Sequence, residues 1–104
     1  MSYKNISATE LQPLLAAGKV TLIDVRTDAE MARGIIGGAV KLPLHLLPLR
    51  LQDLDAQAPT VFYCQMGGRS AQAAAFAANQ GMADVYNLQG GITAWAHFGG
   101  EIAL

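Results

Sequence analysis

The sequence predicts an α/β fold in which a central parallel sheet of about five strands is covered by helices on both faces. Short apolar runs such as residues 20–25 lack the alternation of a half-exposed strand and are typical of strands buried on both faces. Segments with helix start and stop residues separate these runs, so strand and helix alternate along the chain. The 104 residues, 52% hydrophobic and 14% charged, are expected to form one domain with a buried core, residues 1–104.

The first strand and helix are predicted from the beginning of the chain. Residues 3–6 are expected to form a short edge strand. Ser7 and Glu10 then have the spacing of a capping box, which predicts a helix that ends at Gly18. Pro13 is compatible with this helix only if the helix begins one or two residues later than the box indicates, because proline lacks the N–H that a helix interior uses.

A second capping box, formed by Thr27 and Glu30, predicts a short helix that ends at Gly34. Residues 39–42 are expected to form the next strand, which Pro43 closes, because proline cannot donate to a strand ladder. The sequence therefore places a short helix between the second and third predicted strands.

The second half of the chain continues the alternation. Leucines recur there at helical spacing, at Leu44, Leu47, Leu51 and Leu54. Pro48 is expected to delay the start of a regular helix in this segment. We expect a strand at residues 60–63, an alanine-rich helix at 71–80, a strand at 85–88 and a closing helix at 92–97.

Charge and composition exclude several classes of function. Seven basic and eight acidic residues give a net charge of −1, so no basic surface is expected for nucleic acid or an anionic membrane. No apolar run reaches the length of a membrane-spanning helix, and residues 1–5 do not begin a signal peptide, so a cytoplasmic location is expected. The single cysteine, Cys64, excludes an intrachain disulfide and a cysteine-rich metal site. We expect no metal and no cofactor.

The candidate site lies where a predicted strand turns into a helix, which is where parallel sheets carry their reactive groups. Its residues are Cys64, Gln65, Met66, Gly67, Gly68, Arg69 and Ser70. Two consecutive glycines allow successive backbone N–H groups to point inward as an anion-binding nest. The following helix adds its positive N-terminal end, and together these groups lower the pKa of a thiol at the centre.

The side chains around Cys64 have distinct expected roles. Arg69 supplies a permanent charge and a planar fork for an oxyanion, and Ser70 is expected to be the N-cap of the following helix. Asp24 and Arg26, at the end of an earlier strand, are expected to pair with neighbouring groups and fix the loops, with Asp24 steadying the active loop. No histidine base is needed, since a thiolate is already a nucleophile.

Four segments in order resemble the single-domain rhodaneses, a family of sulfurtransferases. They are Asp24-Val25-Arg26 with Glu30, residues 34–39, Cys64 through Ser70, and residues 85–95. The resemblance implies a rhodanese-like fold with the active cysteine in a loop between a central strand and a helix. Ile35 and Gly37 depart from the family's usual histidine and proline, which puts only local packing in doubt.

The resemblance implies a sulfurtransferase that moves a sulfane sulfur through a Cys64 persulfide held by the N–H groups of Gln65 through Arg69. The expected partners are thiosulfate or a persulfide donor, and cyanide, a thiol or the cysteine of a sulfur-relay protein as acceptor. Gln65 and Met66 carry no charge, so thiosulfate is expected to bind weakly, and a persulfide-bearing thiol or a partner protein is a credible donor.

Three alternatives to a sulfurtransferase remain. The first is a sulfur carrier or interaction module with little turnover on small acceptors. The second is a catalytically silent binding domain, which Cys64 and Arg69 disfavour, and the third is a phosphatase or arsenate reductase. Phosphatases and arsenate reductases of this fold have one more residue in the loop. Four residues separate Cys64 from Arg69, and this tighter ring favours sulfur.

Overall fold

The computed structural model describes residues 2–104 as seven strands and five α-helices. In chain order the elements are β1 (Lys4–Ile6), α1 (Ala8–Ala16), β2 (Thr21–Asp24), α2 (Asp28–Met31), β3 (Ile35–Ile36), β4 (Val40–Lys41), α3 (Leu47–Arg50), β5 (Thr60–Tyr63), α4 (Gly68–Asn79), β6 (Val85–Leu88), α5 (Gly91–Phe98) and β7 (Ile102–Ala103).

Five of the strands form a parallel sheet in the order β1-β6-β5-β2-β4, which confirms the predicted sheet. The central strand β5 pairs on one side with β2, where Tyr63 lies opposite Asp24, and on the other with β6. All four residues of β5 are buried. Cys64 follows directly, so its position is set by the most constrained strand of the sheet.

Helices cover both faces of the sheet, as predicted. On one face, α4 packs four buried alanines against the strands, at Ala73, Ala74, Ala77 and Ala78. Small side chains let the helix backbone lie close to the sheet. The other face packs against α1 and α5 through Leu11, Ile92 and Trp95. Side chains of β5 alternate between the two cores, so Cys64 points to the α4 face with Phe62.

The two predicted capping boxes are present at α1 and α2. Ser7 Oγ accepts the Glu10 N–H at 3.1 Å and Glu10 Oε1 accepts the Ser7 N–H at 2.9 Å, with the same exchange between Thr27 and Glu30. The box starts α1 at Ala8, so Pro13 lies inside the helix and the expected later start is wrong.

Two other predicted helices differ from the structure. The leucine-rich segment is not one helix, since two short 3-10 turns, Leu44–Leu46 and Leu51–Asp53, flank the four-residue α3. Helix α4 begins at Gly68 rather than residue 71, and Ser70 is not its N-cap. Gly67 is the N-cap, with φ of 109°, a conformation open to glycine, and it turns the chain into the helix within the loop itself.

A second, antiparallel sheet joins β3 to β7, which the sequence analysis did not predict. Each strand has only two residues, too few for a period-2 pattern to show. A Cβ on Gly34 would lie 2.7 Å from Ile102 Cγ2, so the close approach of these strands uses the missing side chain. This pairing places the segment around Ile102 beside α2.

No helix among residues 2–104 is long and apolar enough to cross a membrane. Within the same residues, no three His, Cys, Asp or Glu side chains come close enough together to hold a metal ion.

Helix α5 is attached by its first turn to the chain that follows β5. The Ile92 N–H donates to the Cys64 carbonyl at 3.0 Å, and the Thr93 N–H donates to the Gln65 carbonyl at 3.2 Å. A Cβ on Gly91 would overlap both carbonyl oxygens. Gly91 is therefore a point of close contact between two segments.

Replacing Gly91 with alanine is predicted to destabilise the fold more than the same change at Gly18. Both glycines have positive φ, 59° and 68°, so both variants carry the conformational cost of about 1–2 kcal/mol. Only Gly91→Ala adds steric overlap, since nothing lies within 4 Å of a Cβ at Gly18. We expect an additional loss of about 1–3 kcal/mol in urea unfolding. Equal losses in the two variants would show that the contact is not close in solution.

Candidate active site

The Cys64 sulfur lies inside a loop of hydrogen-bond donors at the carboxyl end of β5. Its Sγ accepts the Gly67 N–H at 3.1 Å, the Ser70 N–H at 3.4 Å and the Ser70 hydroxyl at 3.3 Å. The Met66 N–H also contributes to lowering the pKa of this thiol. The residue is 2% exposed, so the loop and the α4 face of the core enclose it.

The pKa of the Cys64 thiol is lowered from its ordinary value by the balance of two effects. Burial opposes ionisation and acts to raise the pKa, whereas the hydrogen bonds from Ser70, Gly67 and Met66 favour the thiolate and lower it. The hydrogen bonds outweigh burial, so the pKa of Cys64 is lowered. The sulfur also faces the N-terminus of α4, whose partial positive charge acts in the same direction.

Ser70 supplies two of the donors on the thiol sulfur, its N–H and its hydroxyl. The N–H groups of Gln65 through Arg69 were expected to hold a persulfide, and that expectation stays a prediction. Ser70 occupies the third position of α4 and is fully buried, so its side chain turns inward instead of capping the helix. The one-turn earlier helix start is what brings it under Cys64.

Asn87 supports this arrangement and was not singled out from the sequence. The Ser70 hydroxyl oxygen lies 2.5 Å from Asn87 Oδ1 as well as 3.3 Å from the sulfur, and Asn87 Nδ2 donates to the Gly67 carbonyl at 3.3 Å. A serine hydroxyl carries one proton, so it donates to Asn87 or to the sulfur but not to both at once. The available sequence signal was an amide side chain within the otherwise apolar strand β6. In the structure Asn87 is 5% exposed.

Arg69 forms a two-point ion pair with Glu30 of α2. Its Nη1 donates to Glu30 Oε1 at 2.7 Å and its Nη2 donates to Oε2 at 2.8 Å. Hydrogen bonding to Arg69 lowers the pKa of Glu30 to about 2, although partial burial opposes this. The fork expected to be open to an oxyanion is thus engaged by a carboxylate that also belongs to the α2 capping box.

Asp24 and Arg26 form a buried pair at the end of β2, 0% and 3% exposed. Arg26 Nη2 donates to Asp24 Oδ2 at 2.8 Å and to the Gly34 carbonyl at 2.7 Å, and its Nη1 donates to Gln65 Oε1 at 3.3 Å. Burial acts to lower the pKa of Arg26, but Asp24 outweighs it and raises the pKa. The pair therefore joins three loops, and Asp24 reaches the active loop only through Arg26.

Two open grooves border the active loop. The larger, about 660 Å³, lies between α2, α5 and β7 and is lined by Arg26, Glu30, Arg33, Gln65, Thr93 and His97, among others. The smaller, about 310 Å³, is lined by three apolar residues, Val25, Pro43 and Leu44, and by Arg26, Thr27, His45 and Arg69. The two histidines lie on different grooves, and within residues 2–104 neither donates a hydrogen bond to Cys64.

Comparison with known proteins identifies the family. The family model described as rhodanese-like domain matches residues 7–98. A sulfurtransferase of Allochromatium vinosum is 46% identical over 85% of this chain and 82% of its own length, and the thiosulfate sulfurtransferase GlpE of Pseudomonas fluorescens is 39% identical over 89% and 84%. A rhodanese-related protein of Thermoplasma volcanium has a TM-score of 0.91 at 27% identity, covering 98% of this chain and 99% of its own. The chain belongs to the rhodanese-like domain family.

Proposed function

We propose that the protein is a sulfurtransferase that carries a sulfane sulfur on Cys64. The observation that supports this is the set of donors around the sulfur: three N–H groups and a hydroxyl surround one thiol with a lowered pKa. Such a thiolate attacks a sulfane sulfur, and the same donors can hold negative charge after transfer. The related sulfurtransferases support the same class of reaction.

The first step forms one S–S bond and breaks another. The Cys64 thiolate attacks the outer sulfur of thiosulfate, and sulfite leaves with the electron pair of the old bond, so Cys64 becomes a persulfide anion. A persulfide donor reacts in the same way and leaves as its thiolate. Gln65, Met66, Gly67, Gly68, Arg69 and Ser70 form the substrate-binding loop, and Asp24 and Arg26 support it through Gln65.

The second step restores the thiolate. A nucleophilic acceptor attacks the outer sulfur of the persulfide, and the Cys64 sulfur leaves with the bonding electrons. Cyanide yields thiocyanate, and a thiol yields a new persulfide. The leaving group of the donor departs before the acceptor binds, and the persulfide form of the protein connects the two steps. The kinetics are therefore ping-pong.

Replacing Cys64 with serine is predicted to abolish transfer and leave the fold intact. A hydroxyl is similar in size but is a poor nucleophile at neutral pH, so activity should fall on the order of 10³-fold or more. The measurement is intact mass after incubation with thiosulfate or glutathione persulfide, and again after cyanide. Wild-type protein should gain one sulfur atom and lose it to cyanide. A sulfur atom gained by Cys64→Ser would contradict the mechanism, because the chain has no other cysteine.

Replacing Ser70 with alanine is predicted to raise the pKa of Cys64. The change removes the hydroxyl that, after burial, is the largest influence on this pKa and one that lowers it. The rate of alkylation by iodoacetamide should then rise at higher pH than in wild type, and sulfur loading at neutral pH should fall about tenfold. Ser7→Ala is the matched control, since it removes the α1 cap and about 1 kcal/mol of stability without touching the sulfur. An unchanged alkylation profile in Ser70→Ala would mean that the hydroxyl does not stabilise the thiolate.

A sulfur carrier that delivers to a docked protein is the second candidate. The observation that favours it is Met66, which is 65% exposed in the loop beside Cys64 and offers an apolar contact to a partner. A carrier should form the Cys64 persulfide with thiosulfate or glutathione persulfide but release it slowly to cyanide. Fast release to cyanide would exclude this candidate in favour of the enzyme that turns over small acceptors.

A further inference from the structure

The active loop contains one cationic side chain, and that cation is already neutralised. Gln65 and Met66 carry no charge, and both terminal nitrogens of Arg69 donate to the two carboxylate oxygens of Glu30 at 2.7 and 2.8 Å. The ion pair is partly exposed, at 38% for the arginine side chain and 27% for the glutamate. An anion that enters the loop therefore approaches Arg69 and the Glu30 charge together.

Glu30 keeps this charge under all ordinary conditions. Its pKa of about 2 means that the carboxylate stays ionised throughout the neutral and mildly acidic range. Its position is fixed from two sides, because Oε1 also accepts the Thr27 N–H at 3.1 Å and the Thr27 hydroxyl at 3.0 Å. The carboxylate is thus a permanent feature of the site rather than a side chain free to swing away.

The second arginine beside the loop is also neutralised. Arg26 is held by Asp24 within the protein interior, with both Asp24 oxygens engaged. Within the loop itself, the attraction for anions then depends on backbone N–H groups and the α4 N-terminus, while Arg33 lines the larger groove outside the loop. These partial charges suit one negative charge at the sulfur better than a second charge further out.

We propose that Glu30 is a specificity-determining residue that selects sulfur donors of low negative charge over the thiosulfate dianion. The inference rests on the proposed sulfur transfer and specifies its substrate class: the favoured donors are persulfides and singly charged thiosulfonates. Both kinds of donor produce the same Cys64 persulfide. Thiosulfate releases sulfite, a thiosulfonate releases a sulfinate, and a persulfide releases a thiolate, in each case with the electron pair of the broken S–S bond.

The test compares Glu30→Gln with wild type on two matched donors, thiosulfate and methanethiosulfonate, which differ by one charge. Glutamine keeps the acceptor that the α2 capping box requires, so the variant removes the charge and one of the two Arg69 hydrogen bonds while it keeps the helix cap. Removing one unit of repulsion at short range in a partly exposed site should raise kcat/KM about tenfold for the dianion and about threefold for the monoanion. The ratio of kcat/KM for thiosulfate to kcat/KM for methanethiosulfonate decides whether the inference holds.

Glu10→Gln is the matched control. Glu10 occupies the same capping-box position in α1, with an ionised carboxylate in the same backbone geometry, but it lines neither groove beside the active loop. This variant should leave the donor ratio unchanged. A purely structural role for Glu30 predicts the opposite sign in Glu30→Gln, a loss of activity with both donors, because Arg69 and the loop would be less well positioned. That loss, or an unchanged ratio, overturns the inference.

Two further measurements keep the inference testable if Glu30→Gln folds poorly or turnover is slow. In wild type, kcat/KM for thiosulfate should depend only weakly on ionic strength, because the Arg69 charge is compensated, and a steep fall with added salt overturns the inference. Calorimetric binding of thiosulfate to Cys64→Ser should tighten about tenfold when Glu30→Gln is added.

Different results would contradict the proposed sulfur transfer and the proposed role of Glu30. Failure of wild type to gain sulfur from either donor removes the proposed function, while thiosulfate binding to Cys64→Ser still tests Glu30. Sulfur gain with a donor ratio that Glu30→Gln does not change removes only the role of Glu30.

Discussion

The planar trans peptide between Gln65 and Met66 is the constraint on which the site depends. A trans peptide points its C=O and its N–H in opposite directions, and no cis peptide is present in residues 2–104. The Gln65 carbonyl accepts the Thr93 N–H from α5, so the Met66 N–H points away from α5 on the other side of the same plane, and this N–H helps to lower the pKa of Cys64. Helix α5 therefore orients a donor that it does not itself contain. The close approach at Gly91 makes this possible, which connects a glycine far along the chain to the acidity of the thiol.

Carboxylate–arginine pairs then fix the surroundings without adding net charge. Asp24 with Arg26 is buried, and such a pair contributes position more than stability, since desolvation offsets much of the attraction. Arg26 uses its remaining donors on the Gly34 carbonyl and on Gln65, so it holds the second sheet and the active loop in one arrangement. Glu30 with Arg69 does the same between α2 and α4. The ion pairs provide the frame, and the hydrogen bonds that stabilise charge at the sulfur come from the Ser70 hydroxyl and from backbone N–H groups.

The sequence predicted the sheet, the two capping boxes and the place of Cys64, because apolar runs, box spacing and glycine pairs are local patterns. It could not predict that Arg69 would be engaged by Glu30, since 39 residues separate them and their meeting depends on how α2 lies over the active loop. The same reason hid Asn87, whose partners Ser70 and Gly67 come from another element. Ser70 was expected as a cap because serine favours that position, but glycine at 67 with positive φ started the helix earlier. Strands of two residues, such as β3 and β7, are too short to show an alternation of apolar and polar residues.

The donors observed on the sulfur and those inferred from the family resemblance belong to different states of Cys64. In the thiolate, the negative charge lies on Sγ, which accepts the Gly67 and Ser70 N–H groups. A persulfide moves that charge to the outer sulfur, about 2 Å further along. Within residues 2–104, the N–H groups of Gln65, Gly68 and Arg69 donate to no acceptor of the protein. In the proposed persulfide these groups would be available to the outer sulfur, so the proposed transfer would move the charge from one set of donors to the other without rebuilding the site.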